Sequence, residues 1–382
     1  MKVLLVGNYE FDGSTSMHIW AAALDRELRR SGIDVELIAP RPILGRLKPS
    51  AHGIGKWLGY IDRFVFFPRA LRAATVKADI VHLCDHGGGM YAPMIHGKPV
   101  LVTCHDMIAV RAARGELPEL RSSSLGKLLQ SWICYGLRKA TRVACVSQAT
   151  CDDATRILKT SANLCVVPNG LNYPFQPLDP NEVDRRLAAL SAIHAPFVFH
   201  LGSNLAYKNR EGVLRVFARA SAGTDLQLLI AGEPLNQEMV RLAQALAIED
   251  RVVQVVSPDV AVIEALYNRA VCLLFPSCYE GFGWPPIEAQ ACGCPVVASD
   301  IAPFVETLGQ SAILKPVKDE AGMADAIRML VCDASLRERL RQSGFENVRT
   351  RFHTARMIRE YVALYRDLIH KDRTLATGVT QL

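Results

Sequence analysis

The chain has 382 residues, half of them hydrophobic and 21% charged, and its net charge is +6. This length suggests two domains, and the apolar content supplies sizeable cores, which excludes a disordered or fibrous chain. Eleven cysteines without a CxxC pair, no signal-like N-terminus and no apolar run near the ~18 residues of a spanning helix predict free thiols in a cytoplasmic protein, or in one on the cytoplasmic face of the inner membrane.

Residues 2–6 are a short apolar run of the kind that makes a buried strand, and a loop follows from Gly7 to Ser16. A helix is expected to about Arg30, with Ile19, Trp20, Ala23, Leu24 and Leu28 on its apolar face and Gly32 closing it. Residues 34–39 complete a βαβ unit. It lacks GxGxxG, which argues against a dinucleotide cofactor.

Residues 41–75 hold Arg41, Arg46, Lys48, Lys56, Arg63, Arg69 and Arg72 against Asp62 alone, a surplus equal to that of the whole chain. Ile54, Trp57, Leu58, Ile61, Phe64 and Val65 recur at helical spacing. Such a helix either packs its stripe into the domain core or lies in the interface of an anionic membrane. No nucleic-acid partner is expected, because the basic charge is local and no nucleic-acid fingerprint accompanies it.

Strands at 79–84 and 99–103 bracket His86-Gly87-Gly88-Gly89, expected as a flexible ligand-facing loop. A hydrolase with such a string would need a GxSxG elbow, which the chain lacks. His105 follows the second strand and reads as either structural or catalytic. Ser147 is placed to cap the helix after residues 142–146. Three prolines within 173–180 mark a linker. Residues 197–201 then open a second sheet and lead into Gly202-Ser203-Asn204 and Lys208, just before a helix. There a cation and the helix dipole can share a diphosphate, although an exposed surface lysine has the same signature. Further strands are expected at 226–231 and 251–256.

Residues 271–300, VCLLFPSCYEGFGWPPIEAQACGCPVVASD, carry the densest signal. A strand at 271–275 runs into a polar loop with Glu280, Gly281 and Gly283. Pro285 and Pro286 open a short helix, Gly293 caps it in the left-handed conformation, and 295–298 form the next strand. Gly281 and Gly283 let backbone N–H groups approach a ligand, and a helix start beyond a strand's carboxyl end offers such groups to an anion. Glu280 in the loop and Glu288 in the first helical turn add acceptors for hydroxyls. Each glutamate alone also reads as a solvated or dipole-paired carboxylate.

The string EGFGWPPIEAQACGCPVVASD resembles the signature of the retaining GT-B glycosyltransferases of family four, two glutamates separated by seven residues within GFG, PP, EA, ACG and PVV. The resemblance implies an α/β GT-B fold: two Rossmann-like domains facing across a cleft, residues 1–175 for the acceptor and 185–352 for a nucleotide-sugar. A closing helix and tail, 353–382, would cross back to the first domain. It implies that Glu280 contacts the donor sugar and Glu288 the ribose, while Gly202, Ser203, Lys208, Gly281, Phe282 and Gly283 line the donor. His105, in the family's His-Asp pair with Asp106, would face the donor sugar, and Gly13 would touch phosphate or acceptor. The loop at Ser257-Pro258 would lie near the base. Three positions depart from the pattern: Trp284 stands for a smaller aliphatic residue, Ser203 for an arginine, and Ser14 for the second glycine of a Gly-Gly pair that begins at Gly13. The implied partners are a UDP- or GDP-linked donor, a glycan or lipid-linked acceptor and an anionic membrane surface. No cofactor is implied and no metal, since the chain holds no Asp-x-Asp. The rival readings are another GT-B enzyme, a sugar-nucleotide epimerase or a phosphorylase, and a non-catalytic sugar-nucleotide binder.

Overall fold

The computed structural model describes residues 1–50, 53–120 and 122–378. Ala51 and His52 of the basic segment, and residues 379–382 of the expected tail, lie outside the described residues. The chain forms two compact units, residues 1–173 together with 354 onward, and residues 174–353.

In the first unit the strands are β1 (Lys2–Val6), β2 (Asp34–Ile38), β3 (Ile80–Leu83), β4 (Val100–Cys104), β5 (Arg142–Cys145) and β6 (Leu164–Val166). Their order is β2-β1-β3-β4-β5-β6, and every pairing is parallel. Val3, for example, lies opposite Val35 on one side and Ile80 on the other. Helical crossovers cover both faces, so the central strands are apolar on both sides. The chain steps from β1 outward to β2, then crosses back to β3, so the winding reverses between β1 and β3. Loops beyond the carboxyl ends of these two strands meet there, and Asn8 Nδ2 donates to the Asp85 carboxylate at 2.9 Å.

The helix Thr354–Gly378 belongs to this first unit. It inserts Tyr361 and Tyr365, both fully buried. Strands β3 and β4 bury His82 and Thr103, which need partners. The helix supplies them: the Tyr365 hydroxyl lies 2.7 Å from His82 Nδ1, and the Tyr361 hydroxyl 2.9 Å from Thr103 Oγ1, which is 2.8 Å from His82 Nε2. Burial pushes the His82 pKa down to about 3, so this chain of hydrogen bonds is neutral.

The basic segment is one helical run: Gly53–Ile61, a π turn at Asp62–Phe66, and Phe67–Thr75. Pro68 has no N–H to give the Arg63 carbonyl, and the Tyr91 hydroxyl donates to that carbonyl instead, at 3.1 Å. The expected apolar stripe divides. Phe64 packs against the core, whereas Ile54 and Trp57 are 63% and 53% exposed and Ile61 and Val65 also face outward. What packs inward is the face of Gly55, Gly59 and Asp62. Asp62, 1% exposed, accepts from the N–H groups of Ile43, Leu44 and Gly45 and from the Tyr9 hydroxyl at 2.9–3.1 Å. Burial alone would raise its pKa, but these donors bring it below the ordinary carboxylate value. The segment's single acid is thus turned inward, and among the described residues its outer surface combines basic side chains with apolar ones.

The string at His86 departs from expectation. It is a packed 3₁₀ helix, His86–Met94, with Gly89 buried against Leu137 of the helix Ser124–Lys139.

In the second unit the strands are β7 (Phe197–Gly202), β8 (Gln227–Gly232), β9 (Val252–Val256), β10 (Cys272–Phe275), β11 (Val296–Ser299) and β12 (Ile313–Lys315), again all parallel, in the order β12-β11-β10-β7-β8-β9. The winding reverses between β7 and β10. The proline-rich linker enters this unit along the helix Val260–Arg269, with Gln176 N donating to Glu264 Oε1 at 3.0 Å and Leu178 N to Asn268 Oδ1 at 2.8 Å. All eleven cysteines are free. Among the described residues, no helix is long and apolar enough to cross a membrane.

Candidate active site

The loops that leave β7 and β10 flank the reversal point of the second sheet, and they are tied together by backbone. Cys278 N donates to the Tyr207 carbonyl at 2.7 Å, and Asn209 Nδ2 to that of Pro276 at 3.1 Å. Lys208 ends a short 3₁₀ turn, Ala206–Lys208. Asn209, left-handed at φ 53°, then caps the helix Arg210–Ala220 by accepting from Gly212 N at 3.2 Å. This turn aims the Lys208 side chain across the gap between the two strands. Its ammonium lies 2.6 Å from Glu280 Oε1 and within 5.4 Å of the Phe275 and Tyr207 ring centres. Two residues singled out separately in the sequence therefore form one ion pair, with side chains only 17% and 11% exposed.

Gly281, Phe282 and Gly283 complete the loop. Gly283 has φ +92°, and a Cβ there would sit 2.4 Å from Phe304, so only glycine fits. Phe282 turns inward, with its ring 5.4 Å from that of Phe352. Its side chain is core, so its backbone N–H is the group it could offer a ligand. Gly202 ends β7, and Ser203 follows it, half-buried.

The helix after this loop is Trp284–Ala291, with prolines at its second and third positions and Gly293 left-handed beyond its end. It begins one residue earlier than expected, which moves Glu288 from the first turn to the second. There Glu288 is 7% exposed, and the Tyr267 hydroxyl donates to its Oε2 at 3.1 Å. Burial raises the Glu288 pKa to about 7, against a smaller opposing pull from that hydroxyl.

In the first unit, His105 lies just beyond β4 and is buried. Its Nε2 donates to the Cys84 carbonyl at 3.0 Å, and its ring meets Trp20 edge-on with centres 4.7 Å apart. Burial holds its pKa below the ordinary histidine value, so the imidazole is neutral. Asp85 lies nearby, 3.0 Å from His86 Nδ1. Burial opposes charge on His86, but this carboxylate outweighs it and lifts the His86 pKa to about 9. Gly13 has φ +79° in the loop after β1. That loop is closed by Asp12, which accepts from Ser14 N at 2.9 Å.

Two family models match this chain: Glycosyltransferase Family 4 over residues 18–173, and Glycosyl transferases group 1 over residues 191–347. The chain belongs to glycosyltransferase family four. Its relatives include the N-acetyl-alpha-D-glucosaminyl L-malate synthase of Bacillus anthracis, 24% identical over 64% of each chain, so this chain spans just under two thirds of that relative's length. The D-inositol 3-phosphate glycosyltransferase of Acidothermus cellulolyticus is 25% identical over 94% of this chain and 87% of its own. Among solved structures, Anabaena HepE in complex with UDP and glucose superposes with a TM-score of 0.74 at 18% identity, covering 96% of this chain and all of that one. That likeness shows the GT-B fold.

One buried residue of this glycosyltransferase escaped the sequence reading. Arg210, 1% exposed, donates to the carbonyls of Gly202, Ala231 and Glu233 and to Asn204 Oδ1, all at 2.6–3.0 Å. It locks the loops after β7 and β8 and so fixes where Ser203 stands. In sequence it is one arginine two positions after a lysine, with no signal of burial. Taken together, Lys208, Glu280 and the loop at 281–283 supply a cation, a carboxylate acceptor and backbone N–H donors within one loop system, while Glu288 lies apart, buried in the helix beside Tyr267. Such a set can hold an anion beside hydroxyl groups.

Proposed function

We propose that this enzyme moves a hexose-type sugar from a UDP- or GDP-linked donor to a glycan or lipid-linked acceptor, with retention of anomeric configuration and without a metal, in the synthesis of a cell-surface polysaccharide or lipopolysaccharide. The observation that carries the reading is the Lys208–Glu280 pair at the reversal point of the second sheet. In this reading Lys208, the N–H groups of the loop at 281–283 and the positive dipole end of Trp284–Ala291 stabilise the leaving diphosphate. Glu280 orients the sugar, and Glu288 accepts from the ribose hydroxyls. The acceptor hydroxyl attacks C1 from the leaving-group face as the C1–phosphate bond breaks. Its proton passes to a phosphate oxygen, so no protein nucleophile is needed. The UDP and glucose held by HepE, and the glycosyl transfer named for the inositol-phosphate relative, support the donor class and the reaction. The first unit takes the acceptor. The cationic, partly apolar outer face of residues 41–75 supports peripheral attachment to the cytoplasmic face of the inner membrane.

A thermal-shift screen of UDP-glucose, UDP-N-acetylglucosamine and GDP-mannose is expected to give a donor that raises Tm, because a ligand that binds only the native state stabilises it. Transfer from that donor, followed by NMR, should yield the donor's anomeric configuration, at a rate that EDTA leaves unchanged. An inverted product would sink the retaining mechanism, and loss of activity in EDTA the metal-independent one.

A further inference from the structure

The first unit contains a half-open hollow between the loop after β1 and the helix Gly53–Ile61 with its π turn. Tyr9, Phe11, Asp12, Lys56, Tyr60 and Arg63 are among the residues that line it. Its floor exists because Gly59 has no side chain: a Cβ there would lie 2.9 Å from the Tyr9 ring. Lys56 and Arg63 stand two turns apart on one helical run, and neither has an acidic partner within ion-pair distance among the described residues. Each instead lies near an aromatic ring, Lys56 at 5.8 Å from that of Tyr60 and Arg63 at 5.7 Å from that of Phe64. Two of the acids close by are held by other donors, and Glu10 lies exposed outside the lining. Asp12, at the rim, is bound by Ser14 and by Asn8 at 3.2 Å, with His18 at 3.5 Å, and Asp62 is held by three backbone N–H groups and Tyr9. The hollow therefore presents two cations without a direct ion pair, between aromatic walls, with the Asp12 carboxylate held by neutral donors on its other side.

The same helix carries exposed Ile54, Trp57 and Ile61 outside the hollow. A line of rings joins the two regions: Trp57 to Tyr60 at 5.7 Å, Tyr60 to Phe64 at 5.3 Å, and Phe64 to Trp132 at 5.4 Å. Beyond Trp132, Leu125 and Leu128 on the helix Ser124–Lys139 are exposed as well. Two unpaired cations in a hollow, continuous with an apolar and aromatic surface, match an amphiphile with an anionic head.

The geometry points to this hollow as the seat of a phosphate group borne by an amphiphile, with Lys56 and Arg63 binding the phosphate and the chain of the amphiphile lying along Ile54, Trp57 and Ile61. That this amphiphile is the acceptor rests on the function proposed above; the binding does not. The test uses the intact chain without donor. Vesicles of phosphatidylcholine are compared with vesicles that also contain phosphatidic acid, and with vesicles matched in charge by oleate, which has no phosphate. Wild type is expected to bind the phosphatidic-acid vesicles about tenfold more tightly than the oleate vesicles. Lys56→Gln/Arg63→Gln should abolish that preference, with far-ultraviolet circular dichroism and Tm unchanged. Arg69→Gln/Arg72→Gln, which removes the same charge outside the hollow, should keep it. Equal binding to the two charge-matched vesicles would overturn the proposal, as would a preference that survives in Lys56→Gln/Arg63→Gln. Protection by inorganic phosphate alone, without preference between vesicles, would assign the hollow to a free anion and overturn the amphiphile. The assay involves no nucleotide-sugar, so a failed donor screen leaves its outcome untouched, and its failure leaves the donor screen untouched.

Discussion

Lys208→Ala is expected to lower kcat/KM for sugar transfer by roughly tenfold to a hundredfold, equivalent to about 1–3 kcal/mol for one charge-assisted contact to a phosphate. The ammonium sits between the ends of β7 and β10, and Glu280 is its acidic partner at 2.6 Å. A bound diphosphate would compete with that carboxylate for the same cation. Glu280→Gln therefore has a split effect. It leaves Lys208 without a charged rival, so a nucleoside diphosphate should bind several-fold more tightly. Turnover should nevertheless fall, because the group that orients the sugar has lost its charge. The double variant Lys208→Ala/Glu280→Gln separates this coupling from two independent losses. If the pair acts as a unit, the effects on diphosphate binding will be non-additive, since Glu280→Gln can tighten binding only while Lys208 is present. The measurements are isothermal titration with UDP or GDP and initial rates with the intact donor, with Tm recorded for every variant. A folded Lys208→Ala protein with wild-type kinetics would refute the assignment.

How much of this arrangement was legible beforehand depends on the range of the interaction. The strand–loop–helix pattern of residues 271–300 is local. Apolar run, glycines, two prolines and a closing glycine all lie within reach of one another, and the structure places β10, Trp284–Ala291 and β11 there. The Lys208–Glu280 contact spans 72 positions and exists only because β7 and β10 are neighbours, which no local pattern encodes. The same holds for Arg210, whose burial follows from three carbonyls at the carboxyl ends of β7 and β8. The stripe at 54–65 was ambiguous for another reason. Helical spacing shows that one face is apolar, but not which face meets the core. Gly55 and Gly59 decided it, because helices pack most closely where side chains are absent, and the larger apolar residues were left outside. At His86 a run of three glycines suggested mobility, yet glycine also permits the close helix packing found against Gly136 and Leu137. The position of Glu288 turned on one residue: with the helix starting at Trp284, the carboxylate enters a buried second turn beside Tyr267.

That burial makes Glu288 the residue with the largest expected pH signature. An unfolded chain holds this proton with the ordinary pKa of 4.5, and the folded one with a value of about 7. Below pH 4.5 both states are protonated, and the stabilising contribution is fully present. As pH rises from 4.5 towards 7, the unfolded state loses its proton while the folded state keeps it. Stability from this group then falls by about 1.4 kcal/mol per pH unit, roughly 3 kcal/mol in total, and levels off above 7 where both states are ionised. Glu288→Gln fills the same space, keeps an acceptor for the Tyr267 hydroxyl and has no proton to lose. Denaturant unfolding of the ligand-free protein should accordingly show the variant gaining on wild type across pH 4.5–7, and more stable than wild type at pH 8. Other carboxylates titrate in the same window, but they cancel in the difference between the two proteins. Donor binding should move the other way. In wild type, affinity should rise as pH passes about 7, because an ionised carboxylate accepts from two ribose hydroxyls more strongly than a neutral acid does. In Glu288→Gln it should be weaker and flat over that range. Parallel stability curves for the two proteins would show that Glu288 is ionised throughout. A pH-independent donor affinity in wild type would remove it from the ribose site.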